Sequence, residues 1–224
     1  MVEGAQEGQL GVSREDYLAD IYRIQTSGQS VSTGEVAQRL GVSAASTSAM
    51  FKRLGQEGLV DYKSYGGVHL TPKGERAAAY IVRRHRLLER FLVDVLGIGW
   101  EKVDEYADRM EHGVPDEVLS AMERLLGEPD TCPHGYPIPD GGLVTLVAGE
   151  LLETLDAGER AVVRRVDESD PELLRYLSDR GLIPGVQVEV LERNEVDGTR
   201  VLRVGSETMV IGQRIAQVLT VDRG

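Results

Sequence analysis

The sequence predicts an α+β protein in which a helical first half is followed by a strand-rich second half. In the first half, apolar residues recur every three to four positions, as they do on helices. After residue 143, short Val, Leu and Ile runs alternate with Gly turns, as they do in small sheets. Between the two patterns, residues 127–142 hold four of the eight prolines and predict a linker.

Composition narrows the class of protein before any motif is considered. The 224 residues are 41% hydrophobic, enough for one or two domains with a buried core. No apolar run approaches the roughly 18 residues of a membrane helix, and the N-terminus lacks the apolar stretch of a secretory signal. The single cysteine, Cys132, excludes an intrachain disulfide framework. We therefore expect a cytoplasmic protein without a membrane partner.

The first third of the chain predicts a winged helix-turn-helix, that is, three helices followed by a β-hairpin. Each helix is preceded or opened by a hydroxyl residue able to cap it, and glycines end the helices. The helices are predicted at 13–27, 33–40 and 43–58, with caps at Ser13, Thr33 and Ser43, and the hairpin at 59–70.

The third predicted helix has the surface chemistry of a DNA-reading element. The net charge of −12 argues against a generally basic nucleic-acid binder, yet residues 36–56 contain no Asp or Glu. Small and hydroxyl side chains on its outer face would let it enter a major groove. The candidate DNA contacts are Arg39, Ser43, Ser46, Thr47, Ser48, Lys52, Lys63 and Tyr65. The alternative is an ordinary three-helix core with a solvated polar face.

The rest of the chain predicts three more helices and a small barrel. A long helix should begin at Pro72 and run to about Leu96, because proline is favoured in a first helical turn. Two further helices are predicted at 100–113 and 115–127, and strands at 144–149, 159–166, 186–193, 199–205, 208–212 and 216–221. A single helix, residues 170–181, interrupts the strands, a pattern typical of a small barrel.

Acidic and histidine residues recur at helical spacing in the middle helices. They are His85 and Glu89 on the long helix, and Asp104, Asp108, Glu111 and His112 on the next. Carboxylates sharing a helix face repel one another unless solvent or a cation neutralises them, and oxygen donors with imidazole suit Mn or Fe. A solvated acidic face is the equally weighted alternative. The Cys132-Pro133-His134 triplet is a weaker second candidate.

Several ordered motifs together resemble the diphtheria toxin repressor family, in its manganese-transport-regulator branch. They are EDYLADIY, GEVAQRLGVS, YGGVHLTPKGE, RRHRLLERFL, EHGVPDEV, CPHGYPIP and PELLRYLSDRGLIPG. The resemblance runs from about Ser13 to the end of the chain. It implies a DNA-binding domain at 1–71, a helical metal-binding and dimerisation domain with linker at 72–142, and an SH3-like, ferrous-transport-A-like domain at 143–224.

The resemblance also implies two metal sites. The primary site would use Asp16, His85, Asp108, Glu111 and His112, and the secondary site Glu89, Cys132, His134 and Asp170. In the iron branch a methionine and a cysteine stand where this chain has Asp16 and Asp108. Replacing those sulfur ligands with carboxylates hardens the primary site, which favours Mn²⁺. Such a site would still bind Fe²⁺, Zn²⁺, Co²⁺ or Cd²⁺ in the test tube.

The resemblance implies a function in gene regulation rather than catalysis. We expect a manganese-dependent repressor of metal-homeostasis genes, with manganese uptake as the target, that binds double-stranded DNA at a palindromic operator as a homodimer. An iron- or zinc-responsive regulator is the alternative within the family. A metal-assisted hydrolase is the alternative from another class, although no nucleophile–base–oxyanion motif is visible.

Overall fold

The computed structural model describes residues 13–63, 66–144, 146, 149–167 and 170–223, which fall into two compact units. The first unit contains the described residues up to Val82 together with those of 139–145. The second contains 83–138 and the described residues from 146 onward. In the described residues, no helix is long and apolar enough to cross a membrane.

The first unit is a winged helix-turn-helix, as predicted. Its elements are α1 (Arg14–Thr26), α2 (Thr33–Arg39), α3 (Ala44–Gln56), β1 (Val60–Lys63), β2 (Gly67–Leu70) and the first turns of α4 (Pro72–Asp94). Strands β1 and β2 are antiparallel, with Tyr62 opposite Val68. Tyr22, Phe51 and Leu54 are fully buried in its core, so the hairpin and α3 are held on a single apolar centre.

The helix caps agree with the sequence at two positions and differ at one. Ser13 and Ser43 cap α1 and α3 as predicted. Helix α2 is capped by Ser32 rather than Thr33, because Ser32 has the extended backbone of an N-cap and its Oγ accepts from the Glu35 amide at 3.1 Å.

Residues 139–145 return to the first unit and are tied to α1 by one side chain. The hydroxyl of Tyr22 donates to the Gly142 carbonyl at 2.8 Å and accepts from the Val144 amide at 3.0 Å. Leu143 packs against the same core. The segment that leads to the strand-rich part is therefore bound to the winged helix-turn-helix.

The second unit joins the end of α4 and two helices to a six-stranded sheet. The helices are α5 (Val103–Glu111) and α6 (Asp116–Leu125); the strands are β3 (Glu150–Leu151), β4 (Arg160–Val166), β5 (Gln187–Arg193), β6 (Arg200–Val204), β7 (Glu207–Ile211) and β8 (Leu219–Arg223). All pairs are antiparallel, in the order β3-β8-β4-β5-β6-β7. Register shifts in β4 and β5 bend the sheet. Its apolar face surrounds fully buried Leu152, Leu177 and Leu202.

Two details of the strand-rich part correct the sequence prediction. The strand expected at 144–149 is absent at 144, 146 and 149, and pairing starts at Glu150 (145, 147 and 148 lie outside the described residues). The predicted helix is α7 (Pro171–Asp179), but a second helix, α8 (Gln213–Val218), covers the start of the expected last strand. Helix α8 is too short to show a periodic pattern, and it forms because Ile215 and Ala216 pack inward.

The Tyr22 anchor leads to a stability prediction. Tyr22→Phe removes both hydrogen bonds of the return segment and should lower the free energy of unfolding by about 1–3 kcal/mol, since two backbone groups lose their partner. Urea unfolding followed by circular dichroism measures the change. Tyr106→Phe, at an exposed tyrosine, is the control and should stay within about 0.5 kcal/mol. If both variants changed the free energy of unfolding equally, the Tyr22 hydroxyl would not stabilise the return segment.

Candidate functional site

The surface of α3 and the hairpin carries most of the predicted DNA contacts. Ser43, Ser46, Lys52 and Lys63 are exposed. Ser48 is half-buried, and its Oγ accepts from the Tyr62 hydroxyl at 3.3 Å. Tyr65 lies outside the described residues. This face remains free of acidic side chains over the whole of α3.

Thr47 corrects the prediction that it faces DNA. Its side chain is fully buried, and its hydroxyl donates to the Ser43 carbonyl at 3.2 Å. Thr47 precedes Phe51 by four residues and Leu54 by seven, so it belongs to the buried stripe of α3. That spacing is a signal the sequence contained.

Arg39 is held by a buried carboxylate. Its Nε donates to Asp20 Oδ1 at 2.5 Å, and the Arg39 side chain is 48% exposed while that of Asp20 is 4% exposed. Burial raises the pKa of Asp20, and Arg39 opposes that rise. The guanidinium is therefore anchored on one side, and its contact with DNA stays a prediction.

Asp16, the predicted ligand on α1, takes part in a capping box. Its Oδ2 accepts from the Ser13 amide at 2.6 Å, and its own amide donates to Ser13 Oγ at 3.3 Å. The residue is half-buried. The cap fixes the carboxylate in the first turn of α1.

A ring of carboxylates surrounds His85 in the second unit. Its Nδ1 lies 2.9 Å from Glu111 Oε2 and 3.2 Å from Asp108 Oδ1, while Nε2 lies 3.2 Å from Asp104 Oδ1. We call His85, Asp104, Asp108 and Glu111 the carboxylate ring. Burial disfavours the charged imidazole, but the carboxylates outweigh it and raise the pKa of His85 well above its usual value. His112 is exposed beside Glu111, with Nε2 3.6 Å from Glu111 Oε1.

A second cluster is fully buried. The donor atoms of Glu89, Cys132 and His134 lie within 4.8 Å of one another, and we call these residues the loop triad. Glu89 Oε1 is 3.1 Å from His134 Nδ1 and 3.7 Å from His85 Nε2. Despite burial, the two histidines hold the pKa of Glu89 well below its usual range. Burial lowers the pKa of His134, but Cys132 and Glu89 outweigh it and raise it to about 10.

The backbone of the loop fixes the spacing of Cys132 and His134. The Gly135 amide donates to the Cys132 carbonyl at 2.9 Å, and the Cys132 amide donates to the Tyr136 carbonyl at 2.8 Å. The Val166 amide of β4 donates to the His134 carbonyl at 3.0 Å. Gly135 has φ +88°, and a Cβ there would lie 2.1 Å from the Arg164 carbonyl oxygen. The tight turn therefore requires glycine.

Asp170, the fourth predicted ligand of this site, has other partners. Its Oδ1 accepts from the Glu172 amide at 3.0 Å as the N-cap of α7, and its Oδ2 pairs with Arg214 at 3.1 Å. The loop triad comes together from the other three residues. The neighbouring carboxylate of Asp167 instead accepts from the Tyr136 hydroxyl at 2.8 Å and pairs with Arg165 at 2.6 Å.

Sequence reasoning missed Trp100, whose ring stacks on His134. Its only distinguishing signal is that it is the one tryptophan in the chain. The two residues are 34 positions apart in the sequence, and no local pattern reveals their contact.

The donor chemistry of both clusters fits a divalent transition metal. The carboxylate ring offers hard oxygens with one imidazole, a set suited to Mn²⁺ or Fe²⁺. The loop triad offers a thiol, an imidazole and a carboxylate, a borderline set that softer ions share. Glu89 pairs with His134 and His85, and a bound cation would replace the protons of these histidines as the positive charge beside the carboxylate.

Three known families match successive parts of the chain. Residues 9–68 match "Iron dependent repressor, N-terminal DNA binding domain", residues 71–140 match "Iron dependent repressor, metal binding and dimerisation domain", and residues 151–223 match "FeoA domain".

Individual proteins resemble the chain over nearly its full length. The iron-dependent repressor IdeR of Mycobacterium tuberculosis is 33% identical, covering 93% of this chain and 96% of that protein. A manganese-dependent transcriptional repressor solved in complex with manganese is 37% identical, with a TM-score of 0.84 over 95% of this chain and 100% of that one. ScaR with bound Cd²⁺ is 31% identical, with a TM-score of 0.75 over 95% and 100%.

The close contact at Gly135 predicts that a side chain at this position lowers the stability of the protein. Gly135→Ala should lower the free energy of unfolding by about 3 kcal/mol or more, because the new Cβ meets the Arg164 carbonyl as well as the left-handed backbone. Gly127→Ala is the matched control, since Gly127 has φ +74° with open space around it, and should cost roughly 1–2 kcal/mol. Denaturant titration compares the two, and a Gly135 cost no larger than the control would contradict the close approach.

Proposed function

Within the diphtheria toxin repressor family of metal-dependent transcriptional repressors, to which the chain belongs, we propose that this protein is manganese-responsive. Its targets would be metal-homeostasis genes, with manganese uptake repressed when the ion is abundant. It would bind a palindromic operator as a homodimer.

The carboxylate ring is the observation that carries the choice of manganese. Three carboxylates lie within 3.2 Å of one imidazole, and no thiol or thioether belongs to the ring. Mn²⁺ binds more weakly than Fe²⁺, Co²⁺ or Zn²⁺ at a given site, so its selection depends on hard donors, coordination number and availability. Carboxylate oxygens reduce the advantage that sulfur donors give to Zn²⁺.

The ligand sets are carried over from the sequence resemblance. Asp16, Asp108, Glu111 and His112, with His85, would hold the regulatory ion, and the loop triad a second ion. A bound cation would supply the positive charge that lets these carboxylates stand together. The similar structures with manganese or Cd²⁺ support a site of broad affinity for divalent ions.

Residues on two helices would couple the ion to DNA. Asp16 lies on α1 of the winged helix-turn-helix, and Glu111 ends α5 of the helical part. An ion bound by ligands from both α1 and α5 would favour one distance between the two winged helix-turn-helix domains of a dimer. That distance must match the separation of the half-sites in a palindrome. The expected coupling between ion and DNA is about 1–3 kcal/mol.

Two other functions are compatible with parts of the sequence. An iron-responsive repressor is favoured by the name of the 33% identical relative IdeR, and comparison of buffered ions tests it. A hydrolase using Cys132 is disfavoured because that thiol is only 2% exposed, and a nucleophile needs access to its substrate.

The two predicted sites should contribute unequally to DNA binding. With Mn²⁺ in excess, Glu111→Ala with His112→Ala should abolish metal-stimulated operator binding, because the link between α1 and α5 is lost. Cys132→Ala with His134→Ala should keep part of the stimulation. Fluorescence anisotropy on a palindromic operator, with Mn²⁺, Fe²⁺ and Zn²⁺ separately buffered, measures both.

The reverse ranking of the two double variants would refute the assignment of the regulatory site. A parent protein that responds to Fe²⁺ but not to Mn²⁺ at matched free concentrations would refute manganese and leave the repressor function standing. Each variant is checked for native unfolding before the titration, so that loss of fold is not read as loss of response.

The exposed face of α3 predicts a phosphate contact at Lys52. Lys52→Ala should weaken binding to all DNA sequences and reduce the slope of log K against log salt by about one phosphate contact, roughly 0.9. Lys73→Ala is the control, because Lys73 is an exposed lysine on α4 whose Nζ donates to the Glu57 carbonyl. If Lys52→Ala leaves the slope of log K against log salt unchanged, Lys52 does not contact phosphate.

A further inference from the structure

Trp100 lies against His134 in two different ways. The indole and imidazole rings are stacked, with centroids 5.1 Å apart and planes 18° from parallel. The carbonyl oxygen of Trp100 also lies 3.2 Å from His134 Nε2. Both residues are buried, at 6% exposure each, so water does not compete for these contacts.

The carbonyl contact decides which nitrogen of His134 is available to a ligand. A carbonyl oxygen only accepts, so Nε2 must carry the hydrogen of the bond. The other nitrogen, Nδ1, lies 3.1 Å from Glu89 Oε1, on the side of the loop triad. The ring therefore presents Nδ1 to the donors of Glu89 and Cys132.

The indole itself is fixed by the strand-rich part of the unit. Its Nε1 donates to the Leu174 carbonyl in α7 at 3.0 Å, and the ring packs in the core that contains Leu177 and Leu182. Trp100 precedes α5, whose carboxylates form most of the carboxylate ring. The backbone carbonyl and the indole ring of Trp100 thus together fix the orientation of the His134 imidazole.

We propose that Trp100 is a positioning residue that makes His134 bind a divalent cation through Nδ1. This rests on the proposed function, since it assumes that the loop triad binds an ion. Groups that orient a ligating histidine raise metal affinity typically by 10- to 100-fold, because the ring is already oriented, with the Nε2 hydrogen bonded elsewhere, before the ion arrives. Trp100 would do so through its carbonyl and its stacked ring.

Nuclear magnetic resonance on the full chain tests the choice of nitrogen. With ¹⁵N-labelled histidine and Zn²⁺ as a diamagnetic probe, long-range ¹H–¹⁵N spectra distinguish a ring bound through Nδ1 from one bound through Nε2. His134→Gln identifies the His134 signals. We expect metal-bound Nδ1 and protonated Nε2; binding through Nε2 would overturn the proposal.

Variants of Trp100 test the positioning itself, with Co²⁺ as the probe. Absorption from charge transfer between the Cys132 thiolate and Co²⁺ reports occupancy of the loop triad without any DNA. Trp100→Leu removes the stacked ring and should weaken Co²⁺ binding at least about 10-fold. Trp100→Phe keeps an aromatic face and should stay within about threefold.

Leu177→Ala controls for damage to the core. Leu177 is fully buried in the same cluster as Trp100, so its truncation loosens that core while leaving the ring on His134. It should bind Co²⁺ within about threefold of the parent. If Leu177→Ala weakens Co²⁺ binding as much as Trp100→Leu, or if Trp100→Leu binds like the parent, positioning is refuted.

The experiments distinguish a loop triad that binds no metal from a Trp100 that does not orient His134. A parent without thiolate-to-Co²⁺ absorption refutes the loop triad as a metal site, and with it this inference. A parent that binds Co²⁺ while Trp100→Leu binds equally refutes the positioning alone. Should Trp100→Leu fail to fold, the Zn²⁺ spectra of the parent still decide between Nδ1 and Nε2.

Discussion

One buried carboxylate, Glu89, connects the two clusters of the second unit. It lies 3.1 Å from His134 Nδ1 and 3.7 Å from His85 Nε2, with only 3% of its surface exposed. A buried carboxylate is tolerated only with opposite charge beside it, and here that charge comes from both histidines. The carboxylate ring and the loop triad are therefore parts of one electrostatic network. Its geometry depends on α4, which supplies both His85 and Glu89 one turn apart.

The same network explains why protons and metal ions compete for these residues. Neighbouring carboxylates raise the pKa of His85 well above its usual value, and Cys132 and Glu89 raise that of His134 to about 10. A proton on His134 thus balances the carboxylate of Glu89 beside it. Ligands must lose their protons to bind a metal, so an ion that enters must displace that charge and replace it.

Local signals predicted the elements, whereas contacts distant in sequence could not be predicted. Ser13 and Ser43 cap their helices because capping depends only on neighbouring residues. Thr47 was misplaced although its spacing from Phe51 marked it as buried. The sequence predicts strand for the last three residues of α8, because a helix of six residues contains too few apolar positions to show a helical period. Helical spacing predicted the acidic face, but only the fold shows that its carboxylates converge on His85.

The Cys132-Pro133-His134 triplet shows how a weak sequence signal becomes a defined arrangement. In an isolated loop the two donors would sample many conformations, and ordering them would cost conformational entropy. Here β4 binds the His134 carbonyl, the glycine turn fixes the spacing, and Trp100 stacks on the imidazole. The turn is local, but Val166 and Trp100 each lie more than 30 residues from His134, so their contacts exist only after the strand-rich part has folded onto the helices. The donors are then ordered before any ligand binds, and the cost of ordering them belongs to folding rather than to binding.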